Sequence, residues 1–338
     1  MSSSPIYIAT RGSALALVQA NMVLAQCQTA FPDGKFAIKI FKTTGDKLQS
    51  ASLSNQQLPK GLFTNELEAA LLSGDADLAV HSLKDLPTEL PEGLTLGAVS
   101  ERADARDVLI YRDAEFVKTE NAGRASTASP LLKRGFKPQL QIDGMPHGAA
   151  VASSSPRRAA QLLEQRPDLK VIPIRGNVGT RLKKLAEQPE IDAIVLAAAG
   201  LARLGFRMGP RGELEGEDVP AGLLARPLEP EEMLPCVGQA ALGLEIRSGD
   251  NRIEAVCAKL NHYFTQQCVT AERAFLRAMG GGCQMAVAAY AEVCGDEIRL
   301  RAVSFLQEKV QRGEARRPLA EAAGLGETLA ATFAGGAS

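Results

Sequence analysis

The chain has 338 residues, of which 45% are hydrophobic and 23% are charged, and its formal net charge at pH 7 is −1. This composition is typical of a soluble globular protein with two or three domains. The near-zero charge and an aromatic content of 4% without tryptophan give no sign of a nucleic-acid or membrane partner.

The cysteines and the start of the chain indicate the compartment. The six cysteines are dispersed and form no Cys-x-x-Cys pair, and the three histidines are far apart, so neither a disulfide framework nor a metal site is expected. Residues 1–5 have neither the basic head nor the apolar core of a signal peptide. The longest apolar run, residues 191–204, is too short to span a bilayer. We therefore expect a cytoplasmic protein with reduced thiols.

The first predicted lobe begins with a strand at Ile6–Ala9, which leads through a turn to a helix from Ala14 to about Thr29. Ser13 is placed to cap this helix. Residues 43–60 lack periodicity and are predicted as a long loop, either a lid or a passive surface segment. An amphipathic helix is predicted over Gly61–Leu72.

The segment Asp77–Pro87 indicates chemistry. It is predicted as a short buried strand that ends in a polar turn containing Lys84 and Asp85. Ligands of open α/β sheets bind at the carboxyl ends of the strands. A carboxylate held there beside an ammonium group is a candidate for proton transfer and for stabilising a cation. A strand-end ion pair is the structural alternative.

The second predicted lobe contains three more strand–turn–helix units. Residues 113–148 precede them, show no periodicity and are predicted as a surface insertion. The predicted strands end near Ala152, Ile174 and Leu196, and Pro156 is placed at the first position of the helix after the first of them.

All four turns, including the one in the first lobe, carry arginine: these are Arg11, Arg157 with Arg158, Arg175 and Arg203. A cation in the first turn of a helix is unfavourable by about a few tenths of a kcal/mol, because the helix N-terminus already carries positive partial charge. A bound anion removes this conflict. The pattern predicts an anion-lined cleft, and solvated arginine side chains are the alternative.

Near the C-terminus, a helix is predicted over Cys268–Met279, with its start near Thr270. Residues 280–282 are all glycine and end this helix before Cys283. A buried, inert thiol is the usual state of a free cysteine. Three glycines instead favour an accessible sulfur on a loop.

Seven segments occur in order along the chain: IATRGS (8–13), KGLF (60–63), VHSLKD (80–85), ERxDxRD (101–107), RGNVGTRL (175–182), AxxGLxRLG (197–205) and GGCQ (281–284). Together they resemble the hydroxymethylbilane synthase family, also called porphobilinogen deaminase, from Ile6 to about Arg301. The resemblance implies a cytoplasmic, monomeric transferase of tetrapyrrole (heme) biosynthesis. It would join four porphobilinogens head to tail, release ammonia and give hydroxymethylbilane.

The resemblance also implies the cofactor and the site residues. A dipyrromethane would be bound covalently through a thioether to Cys283, and Asp85 would be the catalytic carboxylate. Residues implied to bind the cofactor are Ser13, Lys60, Ser82, Lys84, Ser153, Ser155, Arg157 and Arg158. Residues implied to bind substrate are Arg11, Phe63, Arg175, Arg181 and Arg203.

The implied fold is α/β with three domains: two lobes like those of periplasmic binding proteins around a cleft, and a small C-terminal α/β domain with the cysteine loop. The expected boundaries are residues 1–105 plus 235–260, 106–234, and 261–338.

Two departures from the family pattern are visible, at Ala152–Arg158, where Pro156 stands, and at Ala240, which could strain a tight turn usually made with glycine. An inactive paralogue and a non-enzymatic two-lobe anion-binding protein remain as alternatives.

Overall fold

The computed structural model describes residues 4–44, 64–124, 132–282 and 284–335. Two compact units are distinguished: unit 1 comprises Met1–Ala103 and Cys236–Ser338, and unit 2 comprises Asp104–Pro235. The division into three domains expected from the sequence is finer than this one, and it stays a prediction.

Unit 1 is made of two separate parts of the chain, and unit 2 lies between them in sequence. The first part of unit 1 contains β1 (Ile6–Arg11), α1 (Ala14–Ala30), β2 (Phe36–Phe41), α2 (Asn65–Ser73), β3 (Leu78–Ser82) and β4 (Leu94–Val99). Unit 2 contains β5 (Asp107–Arg112), α3 (Ala114–Arg124), β6 (Ala150–Ala152), α4 (Pro156–Gln165), β7 (Lys170–Ile172), α5 (Val178–Glu187), β8 (Ala193–Ala197), α6 (Ala198–Arg203), β9 (Arg207–Met208), β10 (Leu214–Glu215) and β11 (Leu223–Leu228). The second part of unit 1 contains β12 (Leu242–Arg247), α7 (Asn251–Leu260), α8 (Tyr263–Ala278), β13 (Val287–Cys294), β14 (Glu297–Ser304), β15 (Gln311–Pro318) and α9 (Ala322–Gly335).

Unit 1 is built on a five-stranded mixed sheet with the strand order β2-β1-β3-β12-β4. The strands β1, β2 and β3 are parallel, whereas β12 runs antiparallel to β3 and β4. Alternate side chains of β1 point to opposite faces: Ile8 packs with Val23 of α1, and Ala9 packs with Leu67 of α2. Helices therefore cover both faces, which leaves the strand ends for ligands.

Unit 2 has a second five-stranded mixed sheet, with the order β11-β5-β8-β6-β7. The strands β8, β6 and β7 are parallel neighbours, and β5 is antiparallel to β8. Ile110 and Ile194 pack with Leu182 of α5 on one face, and Leu109 and Val195 pack with Leu162 of α4 on the other. This unit contains three of the four predicted arginine turns.

The C-terminal residues form a three-stranded antiparallel sheet, β13-β14-β15, covered by α8 and α9. Phe275 of α8 and Phe333 of α9 meet edge to face, with ring centroids 5.3 Å apart. Glu272 of α8 is fully buried, and both of its carboxylate oxygens bind Arg102, at 2.6 and 2.9 Å. The same carboxylate accepts hydrogen bonds from Gly238 N and Ala291 N. The helix α8 is thereby held against the rest of unit 1.

Two predictions about elements were wrong. No regular element was predicted over residues 113–148, yet α3 occupies Ala114–Arg124; residues 125–131 lie outside the described part. The helix α8 begins at Tyr263, not near Thr270, and His262 caps it by accepting a hydrogen bond from Thr265 N. Histidine is not among the usual capping residues, so the sequence did not reveal this start.

The described residues contain no helix that is both long enough and apolar enough to cross a membrane.

The turn before β12 carries the strain that its sequence predicted. Ala240 has φ +73°, in the left-handed region, and it is buried. We expect Ala240→Gly to stabilise the protein by about 0.5–1 kcal/mol, because relief of the left-handed strain outweighs the added freedom of the unfolded chain. Denaturant unfolding measures this change. The control is Ala241→Gly, at a buried neighbour without positive φ, where a loss of about 1 kcal/mol is expected. Equal losses of unfolding free energy in the two variants would contradict the assignment of strain to Ala240.

Candidate active site

Arg11 and Ser82 lie at one edge of the unit 1 sheet. They end β1 and β3, which are parallel neighbours, so both side chains stand at the carboxyl ends of the strands. Ser13 caps α1, as predicted, with its Oγ accepting a hydrogen bond from Ala16 N at 3.4 Å. Ser82 Oγ exchanges hydrogen bonds of 2.8 and 3.2 Å with the side-chain amide of the buried Gln19. Sequence reasoning missed Gln19, a polar residue on the buried side of α1.

Lys84 and Asp85 follow β3 in a single turn of 3-10 helix, Leu83–Asp85. Leu83 N donates to Ala241 O at 3.0 Å, and the side chains of Leu83 and Leu86 are buried. Asp85 itself is exposed, and within the described residues its carboxylate has no hydrogen-bond or ion-pair partner. The turn is therefore anchored by its apolar residues, and the carboxylate is left available.

Gly238 supports this turn by close approach. Its φ is +68°, and a Cβ built on it would lie 3.2 Å from the carbonyl carbon of Leu83 and 3.3 Å from Lys84 N. A side chain at this position would displace the backbone that carries Lys84 and Asp85.

A second group of predicted residues lies at the carboxyl ends of β6, β7 and β8 in unit 2. Ser153 follows β6, Arg175 follows β7, and Arg203 ends the helix that follows β8. Ser155 caps α4 by accepting a hydrogen bond from Arg158 N at 3.5 Å. Because these three strands are parallel neighbours, their ends share one edge of the sheet.

Arg157 and Arg158 both bind a carboxylate within the protein. Arg157 Nη1 lies 2.7 Å from Asp107 Oδ2, and Arg158 Nη2 lies 2.6 Å from Asp107 Oδ1. All three side chains are buried, and the guanidiniums also donate to the carbonyl oxygens of Leu234 and Val195. Their contact with a cofactor stays a prediction; the contact that the structure describes is with Asp107, a motif residue to which the sequence assigned no role.

Burial by itself would raise the pKa of Asp107, but the charges of Arg157 and Arg158 and their hydrogen bonds outweigh it and hold the pKa well below its usual range. We expect Asp107→Asn to cost about 3–5 kcal/mol of unfolding free energy at pH 7, because two buried cations lose their counter-ion. Since the folded-state pKa is depressed, the wild type keeps this contribution above the unfolded-state value of about 3.9 and loses it as the pH falls further.

Denaturant midpoints of both proteins between pH 3 and pH 7 measure this effect. Asp104→Asn is the control, since Asp104 pairs with Arg106 at a part-exposed position and should cost at most about 1 kcal/mol. A loss no larger for Asp107→Asn than for the control would contradict the expected cost.

Arg181 and Arg203 are cations that the fold partly removes from water. Burial lowers the pKa of Arg203, and burial together with the positive charge of Arg158 lowers the pKa of Arg181. Arg181 Nε donates to Gly176 O at 2.8 Å. Partly desolvated cations of this kind suit the carboxylates of an anionic ligand, so this part of unit 2 fits an acidic cofactor or substrate.

Three predicted site residues, Lys60, Phe63 and Cys283, and most of the predicted 43–60 loop lie outside the described residues. The residues just before Cys283 are described. Gly280, Gly281 and Gly282 have φ angles of +97°, +62° and +135°, conformations that favour glycine.

The two sheets place cationic and hydroxyl side chains at the carboxyl ends of their parallel strands, and unit 1 adds an exposed carboxylate. These features define an α/β protein whose strand ends suit anionic ligands and which has a candidate acid–base group. The chain belongs to the porphobilinogen deaminase family. Residues 6–255 match the family model described as "Porphobilinogen deaminase, dipyromethane cofactor binding domain", and residues 266–335 match "Porphobilinogen deaminase, C-terminal domain".

Curated relatives agree with this assignment. The porphobilinogen deaminase of Syntrophus aciditrophicus (strain SB) is 41% identical over 96% of this chain and 93% of its own length. That of Natranaerobius thermophilus is 40% identical over 88% of this chain and 82% of its own length. That of Shouchella clausii (strain KSM-K16) is 44% identical over 86% of this chain and 81% of its own length.

These matches confirm the predicted family, its α/β fold, its enzymatic class and its dipyrromethane cofactor. The non-enzymatic anion-binding alternative is not supported. The roles of individual residues stay predictions.

Proposed function

We propose that this chain joins four porphobilinogen molecules head to tail, with release of ammonia, and frees the linear hydroxymethylbilane by adding water. The observation that carries this proposal is Asp85, which is exposed and has no hydrogen-bond or ion-pair partner among the described residues. It lies at the strand edge that also bears Arg11, in a chain of the porphobilinogen deaminase family. The family supplies the reaction, and the geometry supplies a carboxylate free to take part in it.

Arginine is the counter-charge that the substrate requires. Each pyrrole carries an acetate and a propionate, so the bound chain becomes more negative with every addition, and guanidinium groups bind carboxylates in a bidentate manner. We assign this role to Arg11 in unit 1 and to Arg175, Arg181 and Arg203 in unit 2. The lowered pKa values of Arg181 and Arg203 support it, since a bound carboxylate would compensate their desolvation.

Ser13, Ser82 and Lys84 would hold the cofactor from unit 1, and Ser153 and Ser155 from unit 2, while Lys60 and Phe63 keep their predicted roles beside cofactor and substrate. Arg157 and Arg158 contribute through Asp107, because that pairing fixes the first turn of α4. When bound, dipyrromethane supplies the pyrrole carbon to which the first substrate is joined.

Asp85 is proposed to act in two steps of each addition. Loss of ammonia from porphobilinogen leaves a cationic methylene-pyrrole, and a nearby carboxylate stabilises that charge. When a free ring carbon attacks this methylene and the new carbon–carbon bond forms, the attacking ring carbon must lose its proton, and an Asp85 Oδ atom is the proposed acceptor. Within the described residues this carboxylate forms no ion pair.

Cys283 is the proposed attachment point. A thioether forms most readily from a thiol that can ionise. Burial raises the pKa of Cys27 to about 11 and that of Cys257 and Cys268 to about 12. These three thiols are poor nucleophiles, which supports attachment at the cysteine that follows the glycine run. A reducing compartment keeps such a thiol available, so we place the enzyme in the cytoplasm and expect a monomer that acts on porphobilinogen without nucleic acid or membrane.

Intact-mass spectrometry of the denatured protein, purified from cells that make porphobilinogen, tests the proposal. We expect a covalent mass increase of one dipyrromethane and a positive colour reaction with Ehrlich's reagent. An adduct without ammonia release on added porphobilinogen would indicate an inactive paralogue. An unmodified mass would overturn the proposed attachment.

A further inference from the structure

The segment that follows Asp85 is bound by α8, the helix that leads to the glycine run before Cys283. Arg273 Nη1 donates to Leu86 O at 3.1 Å, and Arg273 Nη2 donates to Pro87 O at 2.6 Å. These two carbonyls belong to the residues that directly follow Asp85. Arg273 therefore binds the backbone just after the candidate catalytic turn. It belongs to α8, which ends just before Gly280–Gly282.

Two further contacts join the same regions. Val269, one helical turn before Arg273, packs with Leu83 and Leu86 in one apolar cluster. On the other side of Arg273, a Cβ built on Gly281 would lie 3.1 Å from Thr88 Oγ1. The helix and the glycine run thus touch the Asp85 segment at three successive points, and all of them lie within unit 1.

The polar contact differs from the two others in what its loss would do. Arg273 is part-buried and lines a cavity of about 240 Å³ together with Thr88, Leu96 and Arg277. Water that enters this cavity can hydrogen-bond the two carbonyls once the guanidinium is removed. We therefore expect a small cost to folding, whereas the polar link between α8 and the segment after Asp85 is lost.

We propose that Arg273 is a positioning residue that sets the place of Asp85 relative to Gly280–Gly282, the glycine run that precedes Cys283. Asp85 is exposed and has no partner of its own among the described residues, so its position depends on the backbone that Arg273 holds. This inference rests on the proposed roles of Asp85 and Cys283. A displacement of about 1 Å in a reacting group costs up to about a hundredfold in rate.

The test compares Arg273→Met and Arg273→Lys with Arg277→Met. Arg277 is the matched control: it lies one turn further along α8 and lines the same cavity, but it pairs with Glu327, at 3.6 Å. For Arg273→Met we expect kcat per cofactor-loaded chain to fall about 10- to 100-fold with KM little changed. We expect the kcat of Arg273→Lys to fall less, since the lysine ammonium keeps one cationic donor where arginine has two. Arg277→Met should keep the wild-type kcat.

Two readouts are independent of turnover: the adduct-bearing fraction by intact mass, and amide hydrogen exchange over residues 84–90. We expect exchange in this segment to speed up about tenfold or more in Arg273→Met and to stay unchanged in Arg277→Met. Unchanged exchange and kcat in Arg273→Met, with only a lowered melting temperature, would overturn the proposal and leave a structural role. If Arg273→Met does not fold, the same comparison is made with Arg273→Lys. An unmodified, inactive wild type would instead reject the proposed function, while the exchange result would still decide the positioning.

Discussion

Asp85→Asn is expected to lower turnover about 10²–10⁴-fold while the protein stays folded, because the amide neither carries the charge that stabilises a cation nor accepts its proton. The carboxylate is exposed, and no described residue depends on it for a hydrogen bond or an ion pair. Ammonia release and product formation by cofactor-loaded protein measure turnover, and thermal unfolding measures the fold. The loss should appear in kcat, since an isosteric amide leaves the space for the substrate unchanged.

Asp33→Asn is the matched control for this result. Asp33 is also exposed, but it lies in the turn between α1 and β2, away from the carboxyl ends of the parallel strands. Its replacement should leave kcat and the melting temperature at their wild-type values. If Asp85→Asn kept more than about a tenth of the wild-type kcat, a role in proton transfer would be excluded, since such groups contribute at least about a hundredfold.

Cys283→Ser is expected to abolish both the covalent adduct and turnover. A serine hydroxyl is a far weaker nucleophile than a thiolate at neutral pH, so no stable link to the dipyrromethane should form. The intact mass should equal that of the polypeptide alone, and the reaction with Ehrlich's reagent should be negative. Because the predicted attachment involves one atom, we expect the loss to be complete.

Cys294→Ser is the control for the attachment. Cys294 is a free thiol that is only part-buried, at the end of β13, so it is more accessible than Cys27, Cys257 or Cys268. The adduct should persist in this variant with the wild-type stoichiometry. An adduct that remained in Cys283→Ser and disappeared in Cys294→Ser would move the attachment point to β13.

The two results can be separated from each other. Asp85→Asn should still carry a covalent adduct if it is supplied with preformed cofactor, whereas Cys283→Ser should carry none under any conditions. If both variants lacked the adduct after such loading, Asp85 would be assigned to cofactor assembly or retention and not to the later additions alone.

Local sequence signals predicted the elements around the site well. Ser13 was expected to cap α1, and it does, because a hydroxyl before an apolar-periodic segment satisfies a free N–H of the first turn. The strand before Lys84 and the helix after Pro156 also lie where they were predicted. For the two helix starts the deciding interaction is between residues a few positions apart, so a single sequence contains the necessary information. The strand was predicted from its own run of apolar residues, although its partners β1 and β12 are distant along the chain.

Other features of the structure were not visible in the sequence, some of them because the partners are distant along the chain. The structure pairs Arg157 and Arg158 with Asp107, about 50 residues earlier, a partner that the sequence did not predict; their contact with a cofactor stays a prediction. The start of α8 was missed for a local reason, because histidine is not among the usual capping residues. The helical state of residues 114–124 was not visible in local propensities either. Long-range partners such as Asp107 depend on which strands become neighbours in the fold.

The sequence by itself determined the secondary-structure elements near the site through periodicity, and the family through its ordered motifs, because both are properties of the linear chain. The resemblance to that family then implied the reaction class, the cofactor and most of the candidate residues. Only the tertiary structure decided which of these side chains stay available. It paired Arg157 and Arg158 with Asp107, left Asp85 exposed, and joined Arg273 to the carbonyls of Leu86 and Pro87, 187 and 186 residues away along the chain. The physical reason is that the charge state and freedom of a group depend on its neighbours in space, and folding alone selects those neighbours.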